Sequence, residues 1–245
     1  MNRYIASAVA EMDKVNVSKL EHPGCQALDP SSCRFLAAFI RATGAKRILE
    51  FGSGFSTLMM AREIAALEGN YLLSVDDSER DSAQAREVFE SSGCQAKVEF
   101  RLAPLRPRFY GSRLLLSYSL PKGLLEALGP FDLALIDIPR RDFGRESVFY
   151  DVFPAMAPGG YIVADDANRE GMEKICVRNW VAAYGEAMDP VLLEGIGDGL
   201  GIIEKISDAL PSYSNRNALP TAFRTLRNLG GLMFRSRAGA DGPPG

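Results

Sequence analysis

Five short apolar runs alternate with helical patterns along most of the chain, and that alternation leaves few folds open. The runs are "RILEF" (47–51), "YLLSV" (71–75), "KVEFRLA" (97–103), "FDLALID" (131–137) and "GYIVADD" (160–166). Helical patterns are expected over about 55–67 and 78–92, then after a Pro/Arg-rich loop up to about 128, and over about 145–156 and 170–184. Near-continuous apolar strands separated by helices predict a mostly parallel sheet covered on both faces. Right-handed crossovers then give a doubly wound α/β sandwich. The end of the run differs. "PVLLEGIGDGLGIIEKI" (190–206) has two β-like stretches around Gly-Asp-Gly and no room for a helix, which predicts a hairpin and one antiparallel strand.

Before residue 45, "VAEMDKV" and "DPSSCRFLAAFIRATG" suggest two helices, the second capped by Asp29 or Ser31 and ended by Gly44. Residues 207–245 hold five Arg and two Asp, and Leu219, Phe223, Leu226, Leu229 and Met233 fall at helical spacing. That pattern suits a helix packed on the body or a partner better than one lying on a membrane surface. The expected organisation is residues 1–44 as helices covering a site, 45–206 as the core, and 207–245 as a basic tail. A net charge of -3 disfavours nucleic acid held by bulk electrostatics. No apolar run reaches the roughly 18 residues of a transmembrane span. Cys25, Cys33, Cys94 and Cys176 are scattered without a C-x-x-C pair, which fits a reducing, cytoplasmic setting.

The glycines in "ILEFGSGFSTLMMARE" (48–63) fall between a strand and a helix, where a ligand can approach the backbone. A phosphate-cradling loop of the G-x-x-x-x-G-K-[ST] kind needs a Lys that is missing here. A dinucleotide fingerprint wants a third glycine where this chain has Thr57. Gly52 and Gly54 still permit close approach, while Glu50 puts a carboxylate beside the loop. That charge disfavours a pyrophosphate and favours a cationic amino-acid group. Asp76, 22 residues after Gly54, ends the next strand and can accept hydrogen bonds from ribose hydroxyls.

"ILEFGSGFSTLMMA", "LLSVDDSE", "FDLALIDIP" and "APGGYIVADDA", with the late hairpin, resemble the class I S-adenosylmethionine-dependent methyltransferases over roughly residues 45–206. The resemblance implies a Rossmann-like sheet of seven strands whose last hairpin inserts an antiparallel strand, and S-adenosylmethionine as cofactor. It places Glu50, Gly52 and Gly54 at the methionine end, with Ser53 and Ser56 as further contacts of the same loop. Asp76 would hold the ribose with Asp77 as its neighbour, and the adenine would fall near Ala103.

Asp137, Asp165 and Asp166 also close strands at that edge, where three carboxylates repel one another unless a cation joins them. This trio resembles the metal-dependent O-methyltransferases of the catechol and caffeoyl-CoA type and of the macrocin or novobiocin sugar type. It implies Mg2+ or Mn2+ on Asp137, Asp165 and Asp166, and an acceptor that is a hydroxylated small molecule or sugar. Otherwise Asp137 touches cofactor or acceptor while Asp165 and Asp166 cap the next helix. The general-base Lys of the catechol type is missing from "DIPRRDFGRE". Asp142 or the lone His22 could accept the proton, or the metal could make a separate strong base unnecessary; Asp137 counts as catalytic through its place beside the methyl group. Arg140, Arg141 and Arg145 could bind an anionic acceptor. "RPRFYGSRLLLSYSLPKG" (106–123) is expected to border the acceptor, and Trp180 and Tyr184 to pack. Rival readings are a metal-independent N- or O-methyltransferase and a non-catalytic adenosylmethionine-binding partner. A homodimer is an open alternative to a monomer.

Overall fold

The computed structural model describes residues 2–16, 28–138, 144–168 and 172–213, with Leu219, Ala222, Phe223 and Leu226. Two helices, α1 (Arg3–Glu11) and α2 (Pro30–Thr43), precede the first strand. The Asp29 side chain accepts from Ser31 N at 2.7 Å and caps α2, while Gly44 ends it at φ 69°. The central elements are β1 (Arg47–Phe51), α3 (Phe55–Ile64), β2 (Tyr71–Asp76), α4 (Glu79–Ser91) and β3 (Val98–Leu102). A short pair, β4 (Leu105–Tyr110) and β5 (Arg113–Tyr118), comes before α5 (Leu124–Leu128). The chain continues through β6 (Phe131–Ile136), α6 (Gly144–Val152), β7 (Met156–Ala164), α7 (Met172–Tyr184), β8 (Met188–Leu193) and β9 (Leu200–Lys205).

Seven strands form one sheet in the order β3-β2-β1-β6-β7-β9-β8. The strands from β3 to β7 run parallel, and β9 is antiparallel to both its neighbours. The doubly wound sheet with a terminal antiparallel hairpin is thus the fold the apolar runs predict. Alternation along each strand divides the core into two layers. Ile48, Leu72, Leu133 and Val163 face Phe35, Phe39 and Met60 on the α2–α3 side. Leu49, Leu73, Ala134 and Ile162 face Phe149, Phe153 and Trp180 on the α6–α7 side. Trp180 stacks on Phe149 at 4.4 Å and donates to Glu146 O at 3.0 Å, so it packs as expected.

The Pro/Arg-rich segment is not a loop. It forms the β4–β5 hairpin around Gly111, whose φ of 58° suits a two-residue turn. Pro107 is tolerated because each strand of a two-stranded ribbon is an edge strand. Tyr118 meets Phe51 edge-on at 5.0 Å, so the hairpin covers the sheet beside the glycine loop. The α6 pattern also stops early, giving way to a 3-10 turn at Phe153–Ala155 where Pro154 supplies no N–H.

Beyond β9, Tyr213 seats its ring against Tyr110 and Tyr150, at 6.2 and 5.1 Å, and Ser212 N donates to Ala183 O at 2.8 Å. Tyr213→Ala is expected to cost about 1–2 kcal/mol, since the ring is only half-buried. Thermal melts should then fall by roughly 2–8 °C. An unchanged melting temperature would show that this ring adds nothing to the core.

Candidate active site at the ends of the central strands

The strand order reverses between β1 and β6, since β1 leads to β2 on one side and lies against β6 on the other. In open α/β sheets that switch point, at the carboxyl ends of the strands, is where ligands bind. Gly52 follows β1 there, and Asp137 follows β6. Gly52 has φ 102°, and a Cβ on it would lie 1.8 Å from the carbonyl oxygen of Asp137. Only glycine fits. Gly54 differs, for its backbone is extended and a Cβ would meet nothing within 4 Å. Its smallness leaves space open over the first turn of α3.

Alternation along β1 turns Glu50 toward α3, and the register pairs it with Ser74 of β2. Glu50 is fully buried. Ser56 donates to it at 2.5 Å, Thr57 at 2.6 Å and Ser74 at 2.7 Å. Burial pushes its carboxyl up to about 7 against the opposing pull of those three hydroxyls. Thr57 also accepts from Gly54 N at 3.0 Å. The residue that stands in for a third glycine therefore ties the loop down onto Glu50. Thr57 and Ser74 were missed as parts of the site, because the signal was a register between two strands.

Asp76 ends β2 and is buried. Its Oδ2 accepts from Ser53 N and its Oδ1 from Ser78 N, both at 2.7 Å. Each oxygen keeps a lone pair for a further donor. Burial raises Asp76 to about 6, opposed by those two backbone bonds. Ser53 meets Ser74 at 2.7 Å, and Ala103 N donates to Asp76 O at 2.7 Å, so Ser53, Asp76 and Ala103 are one bonded unit. Asp77 lies beside it, half-buried, and Ser56 is buried under the loop.

Asp137, Asp165 and Asp166 gather at the ends of β6 and β7. Burial raises Asp137 to about 7, with Arg145 opposing and Glu50, Asp166 and Asp76 adding. Burial likewise lifts Asp165 to about 7, with Asp137 and Asp166 adding to it. The three gather as expected. Among the described residues no three His, Cys, Asp or Glu are grouped so as to hold a metal ion. The buried guanidinium of Arg145 lies among the carboxylates instead. Its Nη2 donates to Ile138 O at 3.0 Å and reaches Asp166 Oδ2 at 3.5 Å, and its Nη1 donates to Asp165 O. Arg145 is engaged within the fold rather than offered to an anionic acceptor. Asp166 has φ 56°, alone among the described non-glycine residues, a left-handed conformation that costs roughly 1–2 kcal/mol.

Cys33, on the first turn of α2, has a thiol pushed up to about 12 by burial, with Asp137, Asp29 and Asp165 adding. The second helix thus flanks the same edge. His22, Asp142, Arg140 and Arg141 lie outside the described residues.

Glu50, Asp76, Asp137 and Asp165 form one coupled acidic edge. Each binds its proton more tightly folded than unfolded. The stability each contributes is complete below its unfolded value near pH 4 and is lost as pH rises through about 6–7. The ligand-free protein should therefore melt lower at pH 8 than at pH 5. A melting temperature that stays flat or rises over that interval would contradict the raised values.

A family model described as a methyltransferase domain matches residues 49–167. Among solved structures, the fold is similar to cofactor-bound Rv0187 from MTB, at 20% identity and a TM-score of 0.58, over 85% of this chain and 92% of that one. It is similar to the O-methyltransferase from Bacillus cereus in complex with SAH, at 18% identity and a TM-score of 0.56, over 84% and 91%. A third is the O-methyltransferase TomG from Streptomyces achromogenes, involved in tomaymycin synthesis and solved with SAM, at 16% identity and a TM-score of 0.57, over 84% and 91%. No curated protein sequence matches the chain. The family match runs from the glycine loop to the acidic end of β7, and the seven-stranded order surrounds it: residues 49–167 match a methyltransferase domain, set in a fold similar to that of solved methyltransferases.

Proposed function

We propose that the chain transfers a methyl group from S-adenosylmethionine to a hydroxyl oxygen of a small molecule or sugar. The observation that carries this reading is the Asp137 carboxylate, which accepts no hydrogen bond from any described residue although it stands beside Gly52 at the switch point. When bound, S-adenosylmethionine supplies a methyl group on a sulfonium cation. The open space at Gly54 and an edge of buried carboxylates fit such a cation, because positive charge there relieves the cost of ionising them.

Asp76 holds the ribose hydroxyls with the lone pairs left free by Ser53 and Ser78. Gly52 and Gly54 let the backbone approach the methionine end, and Glu50 fixes that loop from beneath. Ala103 borders the adenine, with Asp77 at the ribose side. Asp137 takes the proton of the acceptor hydroxyl as its oxygen bonds to the methyl carbon, and the carbon–sulfur bonding pair stays on sulfur. A carboxyl raised to about 7 is matched to that task near neutral pH. No step is assigned to a divalent ion, because Arg145 lies among the carboxylates that would bind it.

Release of S-adenosylhomocysteine across a panel of catechols, sugars and amines tests the reading. Turnover with hydroxyl acceptors supports it, and turnover with amines alone would move the transfer to nitrogen. Calorimetric binding of S-adenosylhomocysteine without turnover of any acceptor would favour the non-catalytic binding partner.

A further inference from the structure

We propose that the Arg145 guanidinium is the permanent cation of the carboxylate cluster at the ends of β6 and β7, so that this chain holds no divalent metal there. The proposal rests on the methyltransferase reading only for its consequence, a methyl transfer without metal. Its structural content stands on Arg145 itself.

Arg145 sits in the first turn of α6 and is 7% exposed. One guanidinium reaches three acceptors from two strand ends, the carbonyls of Ile138 and Asp165 and the carboxylate of Asp166. Ile138 directly follows Asp137, so the same side chain clamps the backbone next to two of the three acids and pairs with the third. A guanidinium is a permanent cation in proteins, unlike a bound ion that can leave. Mg2+ and Mn2+ favour several oxygen ligands, and Mg2+ demands near-ideal octahedral geometry at about 2.0–2.1 Å. Here one of the available carboxylates already faces a cation, and a dication in the same cluster would be repelled by it. The arrangement answers the repulsion among Asp137, Asp165 and Asp166 with an internal charge, where the resemblance supplies an ion.

Arg145 is thus a positioning residue whose charge also excludes metal, and the two roles separate by experiment. The full chain is stripped with a chelator and dialysed. Free Mn2+ is then followed by its electron paramagnetic resonance signal, and S-adenosylhomocysteine binding by calorimetry on the same samples. Wild type and Arg145→Lys should leave the Mn2+ signal unchanged. Arg145→Gln should take up about one Mn2+ per chain, and Asp165→Asn in that background should abolish the uptake. Two results overturn the proposal. One is wild-type uptake of Mn2+ that Asp165→Asn removes. The other is an Arg145→Gln chain that binds S-adenosylhomocysteine yet takes up no Mn2+. If Arg145→Gln does not fold, the wild-type titration decides alone. A wild-type chain that binds neither Mn2+ nor S-adenosylhomocysteine would sink the proposed function and leave the Arg145 assignment intact.

Discussion

Asp137→Asn is expected to lower turnover about 10²–10⁴-fold, the range for losing a positioned general base, while S-adenosylhomocysteine still binds. The amide keeps the shape of the carboxylate and cannot take the acceptor's proton. The tight contact with Gly52 is made by the backbone carbonyl of Asp137, which the substitution leaves in place. A second signature comes from pH. Wild-type rate should climb as pH rises through about 7, because the base must be ionised to work. The variant's residual rate should lack that inflection. A variant with wild-type turnover and the same profile would take Asp137 off the proton's path and return attention to Asp142 and His22.

The other large effect belongs to the cofactor side. Asp76→Ala should weaken S-adenosylhomocysteine binding by roughly 10²-fold or more, since two charge-assisted bonds to the ribose are lost at about 1.5–3 kcal/mol each. The loop suffers as well, because Ser53 N and Ser78 N lose their acceptor. Asp76→Asn separates the two contributions, for its amide oxygen can still hold one backbone N–H. Calorimetry on both variants gives the comparison. An unchanged affinity in Asp76→Ala would place the ribose elsewhere.

The sheet was legible because its strands are apolar on both faces, a pattern that survives without any knowledge of partners. Gly52, Gly54 and Asp76 were legible for a related reason, as a strand end followed by a turn announces itself locally. The β4–β5 hairpin was not. Arg106, Pro107 and Arg108 read as loop, and the strand character of "RLLLSY" rests on a buried Arg113 whose partner, Glu146, is 2.7 Å away and 33 residues along the chain. Arg145 hid in the same way. Its sequence neighbours mark it as one of several surface arginines, while its bonds go to carbonyls that become adjacent only when β6 pairs with β7. Charge count suggested that the three acids need a cation. Only the packed strand ends supply one from within the chain.

The strand order carries a consequence for biosynthesis. β9 lies between β7 and β8, so the ribosome delivers β8 before the strand that joins it to the sheet. Until Lys205 has emerged, residues 161–164 of β7 present an unpaired apolar edge, which readily pairs with other chains. The stretch from Ala164 to Lys205 takes roughly 2–8 s to synthesise at about 5–20 residues per second. A nascent chain stalled in that window has a nearly complete sheet with a sticky margin, whereas one stopped after β9 has closed it. Premature stop codons before Leu200 and after Lys205 should therefore divide into insoluble and soluble products.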